Sequence, residues 1–191
     1  MIRILLAAVL GGLVYHVWVF LSWVPFELHD STLTALPDGP AVAESLKAQD
    51  IESGVYVYPW HKDHSGKKIS EDEFKKRHQE GPLFMLYYTK EGTEAMPMSM
   101  MLGGAGLNII SAGLAACLLS CAGGCCRHYL CRVGFVLGLG LFVFVVGHGA
   151  YWNWMRFPTD YTLRFAIDLA VGWTLAGLVI AALIRPTPAK D

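Results

Sequence analysis

Four long apolar stretches dominate the pattern of hydrophobic and polar positions along this chain of 191 residues. They cover residues 4–23, 98–120, 133–154 and 161–184, and each approaches the roughly 20 apolar residues that a helix needs to cross about 30 Å of hydrocarbon. The segment 25–97 carries most of the charged side chains and is the only long part able to fold in water. The pattern predicts a membrane α fold with transmembrane helix 1 at 1–24, an inserted domain at 25–97, and transmembrane helices 2–4 at 98–191.

Local signals inside the inserted segment alternate between helix and strand. Asp38-Gly39-Pro40 is typical of a helix start, and the run Val55-Tyr56-Val57-Tyr58 predicts a strand. A capping-box pattern at Ser70 opens a second helix that continues through His78, and residues 83–89 predict a second strand. The inserted segment is therefore expected to be a small α+β domain between helices 1 and 2 of a four-helix bundle.

Basic residues flank the apolar stretches on one side of the predicted membrane. They are Arg3, Arg127, Arg132, Arg185 and Lys190. Because positive charge accumulates on cytoplasmic loops, both termini are expected in the cytoplasm and residues 25–97 outside it, which in a bacterium means the periplasm. Arg3 precedes an apolar run as in a signal peptide, but that run is long and lacks a small-residue cleavage site, so it should stay as an anchor. We expect a multi-pass protein of the bacterial inner membrane.

Each predicted span carries one polar side chain at a similar depth. These residues are His16, Asn108, His148 and Asp168, and at 1.5 Å per residue they lie roughly 10 Å below the outer surface. Polar groups within hydrocarbon are expensive, so their common depth indicates a polar layer inside the bundle. Arg164 lies one helical turn before Asp168 and could pair with that carboxylate while reaching the interface.

Three interpretations of this polar layer remain open. In the leading one, the residues are structural, and hydrogen bonds between spans hold the bundle together. In the second, two histidines at equal depth supply the axial ligands of a b-type haem. In the third, Asp168 or a histidine titrates within the membrane as part of a proton or quinone site.

Two segments outside the predicted spans suggest metal chemistry. His61 and His64 lie close together in a predicted loop, although such a pair fixes no geometry by itself. Four thioethers, at Met96, Met98, Met100 and Met101, would suit cuprous copper if alternate methionines shared one face of an extended strand. Ordinary packing at the start of the second span is the alternative explanation for the methionines.

The cysteines form a third candidate site. Cys117, Cys121, Cys125, Cys126 and Cys131 all lie at or near the predicted cytoplasmic ends of helices 2 and 3, and the inserted domain has none. Their spacing matches neither paired zinc ligands nor a ferredoxin motif, which favours packing around a tight glycine-rich turn. No disulfide is expected in the inserted domain.

Glycines are frequent in the last three spans, and Gly134 with Gly138 forms a GxxxG pair of the kind that lets helices pack closely. No nucleotide-binding motif, hydrolase triad or metalloprotease motif is present, and nothing indicates nucleic-acid binding. The sequence therefore offers no catalytic residues. Expected partners are the lipid bilayer and other membrane subunits or a second copy of the chain.

Several motifs resemble those of one group of proteins. They are FLSW at the end of the first span with the following His29, GVYVYP, GPLFMLYY with its methionine-rich continuation, and AYWNWMRFP before the fourth span. The chain resembles a group of uncharacterised bacterial four-span membrane proteins with a periplasmic insertion after the first span. That resemblance implies the architecture and an inner-membrane location, and it brings no activity or cofactor.

The combined expectation is a non-enzymatic accessory or scaffold subunit of a membrane complex. The alternative is a copper- or haem-binding protein in periplasmic metal handling or electron transfer.

Overall fold

Four helices in the structure, a computed structural model that describes residues 1–122 and 126–185, are long and apolar enough to cross a membrane. They are α1 (Ile2–Trp23), α4 (Met98–Cys121), a third span over Tyr129–Trp154, and α7 (Thr159–Leu183). The predicted helical membrane fold is confirmed at this level. Cys125 of the candidate cysteine site and Lys190 of the flanking basic residues lie outside the described residues.

The chain divides into two compact units. One comprises Met1–Thr34 together with the described residues from Met96 onward, and the other is Ala35–Ala95. The second boundary lies close to that expected for the inserted segment. The first lies ten residues later than expected, because residues 25–34 fold with the membrane helices.

The largest contacts among the membrane helices are those of α4 with α1, of α1 with α7, and of α7 with α5 (Tyr129–Val143), and α4 also makes smaller contacts with α5 and α7. Glycines allow the close approaches. A Cβ on Gly12 would lie 2.5 Å from the Ile109 backbone, and one on Gly140 would lie 2.6 Å from the Trp173 ring. Small residues at such contacts let the helix backbones approach each other, which favours association where lipid offers no hydrophobic driving force.

The third span is not a regular helix throughout. Its first part is α5, its middle is a π-helical segment at Phe144–Gly149, and it ends with α6 (Ala150–Trp154). The span also begins four residues earlier than the hydrophobic pattern predicts. The polar side chains in its first turn find partners on α7: the Tyr129 hydroxyl donates to the Leu178 carbonyl oxygen and Arg132 Nε donates to that of Ala181.

The unit Ala35–Ala95 contains two helices and a two-stranded sheet. Its elements are α2 (Gly39–Ala48), β1 (Gly54–Tyr58), α3 (Glu71–Glu80) and β2 (Phe84–Tyr88). The strands are antiparallel, with Tyr56 opposite Leu86. Asp38 and Ser70 cap the two helices, since their side chains accept hydrogen bonds from the backbone N–H groups of Ala41 and Glu73. These elements agree with the α+β pattern predicted from the sequence.

Candidate functional site

A fully buried polar contact joins His29, in the segment after α1, to Asp168 in the middle of α7. His29 Nε2 donates to Asp168 Oδ2 at 3.1 Å, and the two side chains are 0% and 8% exposed. His29 Nδ1 and Asp168 Oδ1 are also buried and have no hydrogen-bond partner among the described residues. A buried polar pair is retained only when its geometry is held firmly, because each partner loses its contact with water.

The chain places His29 by folding back as soon as α1 ends. The N–H groups of Phe26 and Leu28 donate to the carbonyl oxygens of Leu21 and Ser22, and a 3₁₀ turn follows at Asp30–Thr32. The imidazole then stacks on the Trp23 ring, with the ring centroids 4.1 Å apart. The loop residue is therefore enclosed by the helices that flank it.

Aromatic rings complete the wall around the histidine. Phe165, one turn before Asp168 on α7, has its ring centroid 4.8 Å from that of His29. The Trp18 indole N–H also donates to the Asp168 carbonyl oxygen at 3.0 Å, which ties α1 to α7 at the same level. The pair thus belongs to a contact among α1, the following loop and α7.

His16, Asn108 and His148, which were also predicted to belong to the polar layer, lie in two further contacts. Asn108 Nδ2 donates to His16 Nδ1 at 3.1 Å and thereby joins α4 to α1. His148, in the π-helical segment, stacks on Phe165 with 4.3 Å between ring centroids. Among the described residues, the polar groups form two hydrogen-bonded pairs at different interfaces and one ring stack, which shares Phe165 with the wall around His29.

Arg164 does not make the expected ion pair. Its Nη2 group donates to Ser31 Oγ at 3.4 Å, while the described ion pair of Asp168 is with His29. The loop that carries His29 and Ser31 lies beside this turn of α7, which is why Arg164 bonds Ser31. The sequence assigns His29 no role, and its only distinguishing feature there is its position six residues after the end of a span.

The proposed metal ligands are dispersed. Met98, Met100 and Met101 lie in the first turn of α4, so the extended strand that would align alternate methionines is wrong. Met96, Met98 and Met100 are strongly exposed. Within residues 1–122 and 126–185, no three His, Cys, Asp or Glu side chains are arranged to hold a metal ion.

The histidine loop of the Ala35–Ala95 unit is organised around Asp63 rather than around His61 and His64. Asp63 Oδ1 accepts hydrogen bonds from the Ser65 hydroxyl and from the backbone N–H groups of Ser65 and Lys67. The Ser65 hydroxyl is the main cause that holds the pKa of Asp63 below its ordinary value. The copper and haem hypotheses remain predictions.

The cysteines show one sulfur contact, with Cys131 Sγ 3.0 Å from Cys126 Sγ near the start of α5. Cys117 and Cys121 are exposed on the last turns of α4. The described thiols therefore do not gather at one point.

Comparison with known proteins adds no family or function. No protein-family model matches the chain, and no curated protein or solved structure is significantly similar to it.

Proposed function

We propose that this chain is a non-enzymatic accessory or scaffold subunit of a membrane complex, in which α5 presents a docking face for a partner helix. The observation that carries the proposal is the position of Gly134 and Gly138. Both are exposed, and a Cβ built on either would meet nothing within 4 Å. The GxxxG pair therefore makes no close contact within the described part of the chain.

Two other glycines, in contrast, make close contacts within the bundle. Gly140 lies on another side of the same helix and packs against Trp173, and Gly177 of α7 packs against Val133 and Val136. The face of α5 that contacts α7 is thus separate from the face formed by Gly134 and Gly138. A small-residue face of this kind allows a second transmembrane helix to approach at backbone distance.

The intramembrane polar residues support a structural role for the bundle. Asn108 pairs with His16 across α1 and α4, and Asp168 pairs with His29. An active site needs several reactive groups converging on one volume, whereas these pairs lie at different interfaces. Helix association is the function that such pairs serve best.

Purification from native membranes in mild detergent tests the docking face. The double variant Gly134→Leu/Gly138→Leu should lose a co-purifying protein or the self-associated form of the chain. Gly103→Leu is the matched control, because Gly103 is exposed on α4 and also has nothing within 4 Å of its Cβ position. A wild-type chain that purifies only as a lone monomer contradicts the proposal, and so does an association that the double variant leaves intact.

The proposed location is the bacterial inner membrane, with both termini cytoplasmic and residues 25–97 periplasmic. Arg3, Arg127 and Arg132 near the span ends support this orientation. Ser65→Cys places a thiol in an exposed loop of a unit that has no cysteine. A membrane-impermeant maleimide should label this variant in intact spheroplasts and leave the wild-type chain unlabelled, whereas labelling of the wild-type chain as strong as that of the variant would indicate the inverted topology.

A further inference from the structure

A lateral cleft lies beside a small contact between α4 and α5. Because α4 packs mainly on α1 and α5 packs mainly on α7, the two helices touch over a small area only, and a cavity of about 420 Å³ lies next to that contact. Its wall includes side chains from all four spans: Tyr15, Asn108, Ser111, Leu118, Phe142 and Trp173. This volume lies within the roughly 300–1,000 Å³ that is typical of small-molecule sites.

Polar groups are concentrated in one part of this cleft. Asn108 donates one hydrogen bond to His16, and an amide side chain has a second N–H and a carbonyl oxygen to offer. Ser111 donates to the Leu107 carbonyl oxygen, so its oxygen lone pairs can still accept. The Tyr15 phenol adds a third polar group to the same wall.

Aromatic rings form much of the remaining surface near the polar groups. The Tyr15 and Trp173 rings lie 5.1 Å apart, and Phe142 contributes from α5. Toward Leu118 the wall becomes aliphatic. The cleft therefore combines aromatic and hydrogen-bonding groups at one end with an apolar surface at the other.

Depth in the membrane limits what can reach the polar groups. Asn108 and Ser111 are ten and thirteen residues from the first residue of α4, or roughly 15 and 20 Å along the helix, which is near its middle. A phospholipid keeps its headgroup at the interface, so only its acyl chains would reach this level. A polar ligand at this depth must itself be soluble in the hydrocarbon.

We propose that this cleft binds a lipid-soluble molecule with a carbonyl-bearing ring, the chemistry of an isoprenoid quinone. The Asn108 amide donates to a ring carbonyl, the ring lies against Tyr15 and Trp173, and the tail runs along Leu118 and leaves between α4 and α5. The ring is bound and not chemically changed. The site is separate from the Gly134 and Gly138 face, so each proposal can fail without the other.

The test is a titration of the purified full-length protein in nanodiscs with decylubiquinone, followed by tryptophan fluorescence. Trp173 lines the cleft and should be quenched on binding. Ser111→Phe fills the polar end and should weaken binding at least tenfold. Ile110→Phe is the matched control, because Ile110 is the neighbouring residue and is 61% exposed outside the cleft. It should leave the affinity unchanged.

Two further variants keep the result interpretable. Leu118→Phe fills part of the apolar end from an exposed position without adding a tryptophan and should also weaken binding at least tenfold, which covers the case in which Ser111→Phe fails to fold. Asn108→Leu should weaken decylubiquinone about fivefold, as expected for the loss of one hydrogen bond, and should leave binding of n-decanol unchanged.

Three results would overturn the proposal. The first is decylubiquinone binding that neither cleft-filling variant weakens. The second is displacement of decylubiquinone by an equal concentration of n-decanol, which would show an acyl-chain groove. The third is quenching that Ile110→Phe reduces as strongly as Ser111→Phe, which would place the probe in the surrounding lipid.

Discussion

The contact between His29 and Asp168 predicts a large and specific effect on stability. His29→Phe keeps an aromatic ring against Trp23 and removes the nitrogen that donates to the carboxylate. Trp18 cannot compensate, because its indole bonds the main-chain oxygen of Asp168 and not the carboxylate. Leaving a buried carboxylate without its hydrogen-bond partner costs about 3–5 kcal/mol, and the 8% exposure of the Asp168 side chain favours the lower end of that range.

The complementary substitutions should behave differently. Asp168→Leu leaves the His29 imidazole buried without its partner and should lower the free energy of unfolding by about 1–3 kcal/mol. The double variant His29→Phe/Asp168→Leu has two apolar side chains in place of the pair and should lie within about 1 kcal/mol of the wild type. The two single changes are therefore expected to be strongly non-additive, which is the mark of a direct contact.

The assay is unfolding of the purified protein in mixed micelles with increasing SDS, followed by far-UV circular dichroism. Asp160→Leu is the control for loss of an acidic residue on the same helix, since Asp160 is exposed in the first turn of α7. Its expected cost is below about 1 kcal/mol, the size of a helix-dipole effect. The reasoning would be refuted if His29→Phe lowered the free energy of unfolding by less than about 1 kcal/mol. It would also be refuted if the double variant lost as much stability as the two single variants together.

Two smaller predictions concern close packing and one hydrogen-bonded turn. Gly12→Ala places a Cβ 2.5 Å from the Ile109 backbone and should lower the free energy of unfolding by about 1–3 kcal/mol, whereas Gly103→Ala, which meets nothing within 4 Å, should not lower it. Equal thermal stability of the two variants would contradict this. The pKa of Asp63 is depressed, so its carboxylate stabilises the turn above the ordinary value of 3.8 and this contribution is lost as the pH falls through the lower folded value. Ser65→Ala should raise the pKa toward 3.8 in an NMR titration, and an unchanged pKa would reject the role of the hydroxyl.

The four spans could be predicted because hydrocarbon imposes a length and a composition on each helix. Where the bounds differ, tertiary contacts explain the difference. The third span begins with α5 at Tyr129, ahead of the apolar run, because Tyr129 and Arg132 donate hydrogen bonds to carbonyl oxygens of α7. The helix starts at Asp38 and Ser70 were also predictable, since capping depends on neighbours within one turn.

The polar contacts were only partly accessible from the sequence. Depth along a helix gave the levels of His16 and Asn108, but depth does not fix which faces meet. His29 could not be assigned, because a polar residue in a loop is ordinarily exposed and only the return of the chain buries it. The methionine segment was open to two interpretations, an extended strand that aligns alternate methionines or the start of the second span, and the structure has the helix start, with α4 beginning at Met98.

The cleft follows from how membrane helices are held together. Without a hydrophobic driving force between them, helices associate through close small-residue packing and interhelical hydrogen bonds. The α1–α4 interface has both, with Gly12 against Ile109 and Asn108 bonded to His16. The α5–α7 interface also has both, through Gly140, Gly177 and the bonds from Tyr129 and Arg132.

The interface between α1 and α7 follows the same rule, with Gly172 against the Tyr15 and Trp18 rings and the Trp18 bond to Asp168. Between α4 and α5, the described residues provide neither a close glycine contact nor an interhelical hydrogen bond. The contact between these two helices is small, and the polar side chains of α4 in the cleft have room for another molecule. Introducing a close contact there should therefore close the cleft and exclude a ligand without disturbing the three interfaces that stabilise the bundle.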